Sequence, residues 1–241
     1  IMASSTDPDE VLIGAINLWR SNDGGATFSG VAGYFGGPLN IHMDMQDFRP
    51  TATGYWLTTD GGIYHSNDFF NSDYVVMMDG VNGAEFFGFD IGWNEDVMVG
   101  GLYHNGTVGW YENFAANNFL QLGGAEPPSG YTNPGESRRV YSSDIGGAVI
   151  PTSIGQPVER FSVGLWPNEV YWSPESGKMN FDPRCYNIVY IGNDNNFYKS
   201  TDGGTSYNLL YTFGTNANNK ISQTEIAWTN PSVIYTCQNG G

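Results

Sequence analysis

Three segments of the chain repeat one short pattern, and this repeat limits the fold more than any other feature of the sequence. The segments Leu18–Gly25, Ile63–Phe70 and Phe197–Gly204 align without gaps. Each contains an apolar residue, an aromatic residue, a basic residue, Ser, then Asn or Thr, then Asp. A turn precedes each segment, and a short run of β-branched and aromatic residues such as Ile188–Gly192 precedes the turn. The repeated unit therefore consists of short strands joined by tight turns.

The repeat has a period of about 44 residues, because strand-like openings recur near residues 1, 42, 85, 137, 178 and 221. A period of roughly 40–50 residues with four short strands is typical of a β-propeller blade. We predict an all-β propeller with about five and a half four-stranded blades, and we interpret the glycine-rich stretch 123–135 as an inserted loop. The chain then forms a single incomplete propeller over 1–241, with approximate blades at 1–41, 42–84, 85–136, 137–177, 178–220 and, in part, 221–241.

A propeller protects its strand edges by closing its ring. We therefore expect a ring of seven or eight blades, closed by the remainder of a longer chain or by another subunit. The 33 glycines and the 15% aromatic content suit the turns and the packing between such blades. Cys185 and Cys237 lie in or beside predicted strands, so we expect two buried thiols, or a bridge between them in an oxidising compartment.

Charge and hydropathy exclude two classes of partner. The chain has 25 acidic and 9 basic residues and a formal net charge of −16. A surface of this sign does not bind a nucleic-acid backbone, which needs clustered Lys and Arg. The apolar runs are far shorter than the roughly 20 residues of a membrane-spanning helix. We therefore expect neither nucleic-acid binding nor membrane insertion.

Two of the repeated segments resemble a known motif. Ser21–Phe28 and Ser200–Tyr207 are similar to the Asp-box of sialidases, family 74 xyloglucanases and sortilin (VPS10) ectodomains, and Ile63–Phe70 is a degenerate third copy. The resemblance implies a hairpin between the third and fourth strands of a blade, in which the Asp accepts backbone N–H groups of its own turn. It implies a structural role for Ser21, Asp23, Gly25, Ser66, Asp68, Ser200, Asp202 and Gly204.

The same resemblance places ligands at the opposite ends of the blades, where the second and third strands connect. Asp60, Asp144 and Asp194 fall in these connections. Ser143–Ala148 resembles the Thr-Asp-Ile-Gly-Gly-Ala stretch that carries a catalytic carboxylate in family 74 xyloglucanases. Asp144 and Asp60 are therefore candidate catalytic residues, and Asp194 is a candidate ligand-binding residue. The alternative is that each Asp only stabilises a glycine-containing bend.

Two further segments, His42–Phe48 and Gly100–Thr107, resemble motifs of large Bacteroidetes propellers exported by the type IX system. These proteins are described as sortilin-like or glycosyl-hydrolase-like, so the resemblance implies a secreted or cell-surface protein. This chain departs from both motifs, at Asp47 and at His104. Tyr103, His104 and Trp110 lie near a glycine-rich turn and are the candidates for an exposed carbohydrate-binding platform. The other tryptophans that lie in or beside strands are predicted to pack between blades.

The catalytic requirements of related enzymes are only partly met. A glycosidase needs two carboxyl groups at a defined separation, and a sialidase needs three arginines on the substrate carboxylate. The six arginines show no such arrangement, and the three histidines have no shared metal-ligand spacing, which disfavours a zinc site. No cofactor is expected, although an oxygen-rich turn such as Asn193–Asn196 is compatible with a structural calcium ion.

We therefore predict a secreted or cell-surface propeller that binds a glycan or a protein partner on the channel face and is not an enzyme. One alternative is a glycoside hydrolase resembling family 74 xyloglucanases, with Asp144 as a catalytic carboxylate. The other alternative is a structural component of a surface assembly.

Overall fold

A computed structural model describes residues 1–81, 83–116, 118–126, 129–135, 138–169, 178–214 and 220–238. Within these ranges the chain forms β-strands joined by turns and loops, and it has no helix. The described residues accordingly contain no helix with the length and hydropathy needed to cross a membrane. The chain divides into two compact units, Ile1–Gly83 and Ala84–Gly241, here called unit 1 and unit 2.

Unit 1 contains two four-stranded sheets. Sheet A consists of β1 (Met2–Ala3), β2 (Val11–Gly14), β3 (Asn17–Ser21) and β4 (Ser29–Gly33). Sheet B consists of β5 (Met45–Thr51), β6 (Gly54–Thr59), β7 (Gly62–Ser66) and β8 (Val75–Val76). Side chains from both sheets form one core, in which Leu12, Leu18, Leu57 and Phe70 are fully buried.

Unit 2 contains three four-stranded sheets and one two-stranded sheet. Sheet C consists of β9 (Phe86–Ile91), β10 (Val97–Leu102), β11 (Gly106–Tyr111) and β12 (Leu120–Gln121). Sheet D consists of β13 (Tyr131–Thr132), β14 (Arg139–Ser142), β15 (Gly146–Val149) and β16 (Glu159–Phe161). Sheet E consists of β17 (Asn180–Asp182), β18 (Cys185–Asn193), β19 (Asn196–Ser200) and β20 (Asn208–Thr212). Sheet F consists of β21 (Ile221–Ile226) and β22 (Ile234–Gln238).

Every sheet in the described residues is an antiparallel meander whose strands are neighbours in the order of the chain. Such a four-stranded meander is the blade of a β-propeller. The prediction of an all-β propeller with five whole blades and part of a sixth is therefore confirmed. In unit 2, consecutive sheets share apolar cores, with Val99 and Ile150 between sheets C and D, and Tyr141 and Ile191 between sheets D and E.

Two details differ from the sequence-based expectation. The stretch 123–135 is not only a loop, because Tyr131 and Thr132 form β13, the first strand of sheet D. Both residues are buried, which explains why a two-residue strand can start a sheet here. Cys185 and Cys237 are exposed, free thiols rather than buried ones, because each lies at an outward-facing position of its strand.

Candidate ligand site

Box 1 (Ser21–Phe28) and box 3 (Ser200–Tyr207) use their polar groups inside their own turns. In box 3, the Ser200 hydroxyl accepts the Gly204 N–H at 2.8 Å and donates to Asp202 Oδ1 at 2.7 Å. Asp202 also accepts the N–H of Ser206 at 2.9 Å and its hydroxyl at 2.6 Å. Box 1 makes the same four bonds with Ser21, Asp23, Gly25 and Thr27. Box 1 connects β3 to β4 and box 3 connects β19 to β20.

These hydrogen bonds favour the ionised carboxylates. Donation from Thr27 and Ser21 lowers the pKa of Asp23 to about 2, and donation from Ser206 and Ser200 lowers the pKa of Asp202 to about 2. A carboxylate that accepts several hydrogen bonds is a weaker base. The residue six positions after the Ser supplies two of the donors, and the sequence analysis gave it no role.

Box 2 (Ser66–Asp73), between β7 and β8, keeps this geometry without the glycines. The Ser66 hydroxyl accepts the Phe70 N–H at 2.8 Å, and Asp68 accepts the N–H and the hydroxyl of Ser72 at 2.8 Å each. Phe69 and Phe70 have φ values of 60° and 56°, where boxes 1 and 3 have glycines. This conformation is strained for a side chain with a Cβ. Burial of both rings offsets the strain.

Asp144 lies in the turn between β14 and β15, and both of its carboxylate oxygens are hydrogen-bonded. Oδ2 accepts the Thr107 hydroxyl at 3.1 Å, and Oδ1 accepts the Ala125 N–H at 3.2 Å. Thr107 also bonds Ser142 at 2.8 Å. The carboxylate therefore ties the second-to-third-strand turn of sheet D to sheet C.

The other two turn aspartates lie in the corresponding turns of sheets B and E. Asp60, between β6 and β7 in unit 1, accepts Gln46 Nε2 at 2.6 Å. Asp194, between β18 and β19 in unit 2, is exposed, has a φ of 49°, and lies 3.5 Å from Lys220 Nζ. Its N–H donates to Asn168 Oδ1 at 2.7 Å.

The candidate platform residues divide between two places in sheet C. Tyr103 and His104 form the turn between β10 and β11, with the Tyr103 ring edge-on to Phe87 and His104 Nδ1 3.1 Å from Glu126 Oε1. Trp110 instead lines an apolar cavity of about 360 Å³ with Ile91, Met98 and Phe119. The three candidates therefore do not form one platform.

Glu169 is a partly buried residue whose carboxyl group the sequence analysis did not select. Burial raises its pKa, and a hydrogen bond with Ser143, the residue before Asp144, acts in the opposite direction. Its Oε1 has no hydrogen-bond partner among the described residues. A buried carboxyl group with a raised pKa stays protonated at a higher pH than usual.

A cavity in unit 2 lies among the first strands of its four sheets. We call it the channel cavity. It has a volume of about 440 Å³, and strands β9, β13, β17 and β21 or the turns after them contribute to its walls. A smaller cavity of about 180 Å³ shares two of its residues. The lining residues that can contact a ligand through polar or aromatic groups include Asp90, Trp93, Thr132, Lys178, Glu225 and Trp228.

Asp90 links two of these strands through backbone donors. Its Oδ1 accepts the Ile91 N–H and its Oδ2 accepts the Thr132 N–H, each at 2.9 Å. Burial outweighs these bonds and raises the pKa of Asp90. Lys178 Nζ lies 3.0 Å from Glu225 Oε2, and about half of each side chain is exposed. An ion pair this exposed contributes little to stability.

Trp93 and Trp228 form a stacked pair in the wall of the channel cavity. Their ring centroids are 4.5 Å apart and the ring planes differ by 10°. Trp93 lies in the turn after β9 and Trp228 in the turn after β21. Their exposed fractions are 60% and 50%, so the prediction that they pack between blades is wrong. Trp172, assigned the same packing role, lies outside the described residues.

No family model and no curated protein matches the chain. Among solved structures, the extracellular domain of a putative one-component system from B. thetaiotaomicron is 14% identical, with a TM-score of 0.42 over 100% of this chain and 34% of that chain. YCF48 bound to a D1 peptide is 13% identical, with a TM-score of 0.39 over 97% of this chain and 74% of that chain. An ancestral GH74 enzyme is 12% identical, with a TM-score of 0.26 over 98% and 27%. The sheet order of the chain itself identifies it as a protein built of β-propeller blades.

Proposed function

We propose that this protein is a non-catalytic binding propeller, and that its glycan or protein ligand binds in the channel cavity of unit 2. The observation that carries the proposal is the Trp93–Trp228 pair, two large rings that are half exposed in the wall of a 440 Å³ cavity. Ligand pockets of 300–1,000 Å³ typically combine aromatic walls with a few polar groups. Asp90, Lys178 and Glu225 supply those groups.

We further propose that boxes 1, 2 and 3 are Asp-boxes with a structural role. Their hydroxyl and carboxylate groups are all bonded within the turns, which leaves them little capacity to bind a ligand. Because the sequence resembles exported propellers, we propose a secreted or cell-surface location. We also propose that residues 1–241 form one propeller region and that further blades close its ring. A purely structural component of a surface assembly would bind neither a glycan nor a peptide.

The proposal is tested by applying the 241-residue chain to a glycan array and to a displayed peptide library. Positive ligands are then measured by calorimetry with wild type, Trp93→Ala, Trp228→Ala and the control Tyr235→Ala, which removes an exposed aromatic ring outside the cavity. We expect both tryptophan variants to lose affinity and the control to keep it. Absence of any ligand in both screens refutes the proposal.

A second candidate function is glycoside hydrolysis, favoured by the position of Glu169 beside Ser143–Asp144. A raised-pKa carboxyl group could donate a proton while a second carboxylate acts as base or nucleophile. The test measures cleavage of xyloglucan and mixed-linkage β-glucan by wild type, Asp144→Asn and Glu169→Gln, with the exposed Glu159→Gln as control. This function requires that both variants lose hydrolysis while their melting temperatures stay close to wild type. Absence of hydrolysis by the wild type contradicts it.

A further inference from the structure

Trp93 and Trp228 are placed at the channel cavity by separate parts of the chain. The turn after β9 is fixed by the bond from the Gly92 N–H to the Val97 carbonyl at 2.8 Å. The turn after β21 is fixed by the bond from the Ala227 N–H to the Val233 carbonyl at 3.0 Å. These bonds fix the backbone directly before Trp93 and Trp228, although both residues remain at least half exposed.

Each ring covers one face of the other, and their exposure shows that substantial ring surface remains in contact with solvent. Exposing two adjacent indoles is costly, since each buries up to about 150–250 Å² when packed. An apolar surface of this kind beside a cavity is typical of a binding site. The flat apolar side of a sugar ring, which carries only C–H groups, has the shape and chemistry to stack on an indole.

A second observation points to a polar occupant. Thr132 lines the channel cavity, is 1% exposed, and its hydroxyl has no hydrogen-bond partner among the described residues. A buried hydroxyl without a partner costs about 1–3 kcal/mol, so such groups are nearly always satisfied by protein, water or ligand. A ligand donor or acceptor that reaches the Thr132 hydroxyl from the cavity would supply the missing bond.

The charged groups of the cavity disfavour an anionic ligand. Its charged lining residues are Asp90, Glu225 and Lys178, two carboxyl groups and one ammonium group. The chain as a whole carries a formal charge of −16, which repels an anionic ligand. Lys178 is already paired with Glu225, 3.0 Å away. Hydroxyl groups can donate to the carboxyl groups and accept from the ammonium group, so a neutral polyhydroxylated ligand matches this set without the penalty of an anion.

The backbone around Asp90 disfavours an extended peptide. A peptide that binds by strand addition needs free N–H groups on the strand beside it. The Ile91 and Thr132 N–H groups already donate to the Asp90 carboxylate. Each oxygen of that carboxylate keeps a further lone pair for a donor in the cavity. The wall therefore offers side-chain groups to a small polyhydroxylated ligand more readily than backbone groups to a strand.

We infer that the channel cavity of unit 2 binds a neutral saccharide, with a sugar ring stacked on the Trp93–Trp228 pair and its hydroxyls bonded to Asp90, Lys178 and Glu225. This inference rests on the proposed function and narrows it to one ligand class and one set of contacts.

The test titrates the 241-residue chain with cellobiose, xylotriose, maltotriose, lactose and N,N′-diacetylchitobiose. Binding is followed by tryptophan fluorescence and by calorimetry. Oligogalacturonate and a basic peptide are the charged comparisons. We expect at least one neutral saccharide to bind and to change the tryptophan emission. Trp93→Ala and Trp228→Ala should weaken that binding at least tenfold, Trp93→Phe should weaken it less, and Tyr235→Ala should leave it unchanged.

Four results would overturn the inference. No binding by any of the neutral saccharides contradicts it, and so does saccharide binding that both alanine variants retain. Peptide binding that depends on Trp93 and Trp228, without saccharide binding, contradicts the saccharide assignment but supports a binding propeller. Failure of every saccharide and every peptide contradicts both the inference and the proposed function.

Discussion

The turn of box 3 and the channel cavity, both in unit 2, differ in how far their polar side chains are hydrogen-bonded within the protein. In box 3, the Ser200 hydroxyl and the Asp202 carboxylate make at least five short-range contacts within one turn. In the cavity, the Thr132 hydroxyl lacks a partner in the described part of the chain, and the Lys178–Glu225 pair is half exposed. Polar groups that are fully used inside a turn stabilise the fold, whereas groups left open in a cavity remain able to bind a ligand.

Of the substitutions that compare the two regions, Ser200→Ala is expected to cause the largest loss of unfolding free energy. Ser200 is fully buried, and its loss leaves the Gly204 N–H without its acceptor and Asp202 without one donor. Leaving a buried donor unsatisfied costs about 1–3 kcal/mol. Urea denaturation should show this loss of unfolding free energy, while the exposed control Ser153→Ala should stay within about 0.5 kcal/mol of wild type. An unchanged midpoint for Ser200→Ala would mean that the box does not stabilise its sheet.

The difference between the two regions also bears on what the sequence could predict. The repeated Ser-x-Asp pattern predicts a local turn, because the donors and acceptors lie within six residues of one another. The pattern located the turns of boxes 1 and 3. It described box 2 only as a degenerate copy, although Phe69 and Phe70 there adopt the positive-φ conformation that glycines adopt in boxes 1 and 3. Their strain is offset by burial in the core of unit 1, which a local pattern does not reveal.

The channel cavity could not be predicted in the same way. Asp90, Thr132, Lys178 and Glu225 lie in or beside the first strands of four different sheets and carry no common motif. Only the stacking of four sheets brings them together. Trp93 and Trp228 were assigned to packing because tryptophans near strands are usually buried. Their position in turns could have distinguished them from buried tryptophans. The turn residues Asn94 and Glu95 follow Trp93, and Thr229 and Asn230 follow Trp228.

A smaller effect on stability is expected for Asp202→Asn, and it should appear as a change in how the unfolding free energy depends on pH. The hydrogen bonds that lower the Asp202 pKa to about 2 stabilise the fold when the carboxylate is ionised. An unfolded Asp has a pKa of about 3.9, so this stabilisation is present above that pH and is lost as the pH falls toward 2. The unfolding free energy of wild type, measured between pH 5 and pH 2.5, should fall more steeply than that of Asp202→Asn. Parallel curves would contradict the assigned hydrogen bonds.

For Asp90, the unfolding free energy should change with pH in the opposite direction to that for Asp202, as a comparison with Asp90→Asn will show. The change should be smaller, because two backbone N–H bonds partly offset the burial of the carboxylate. Burial raises the folded-state pKa of Asp90, so the folded protein is penalised while Asp90 is ionised. This penalty disappears as the pH falls through the raised pKa toward the unfolded value of about 3.9. Wild type should therefore gain stability relative to Asp90→Asn between about pH 7 and pH 4. A relative loss in this range would show that Asp90 is stabilised in its ionised form, as the box aspartates are.

The smallest change in stability is expected for Trp228→Ala, although this variant should weaken ligand binding at least tenfold. Half of the ring is exposed, so truncation exposes little new core surface and chiefly removes the stack with Trp93. A stacked aromatic pair contributes about 0.5–1.5 kcal/mol beyond the area that it buries. The urea midpoint should therefore shift less than that of Ser200→Ala, while saccharide affinity falls. A large loss of stability would instead place Trp228 in the core of sheets E and F, and the channel cavity would then belong with the boxes as a structural region.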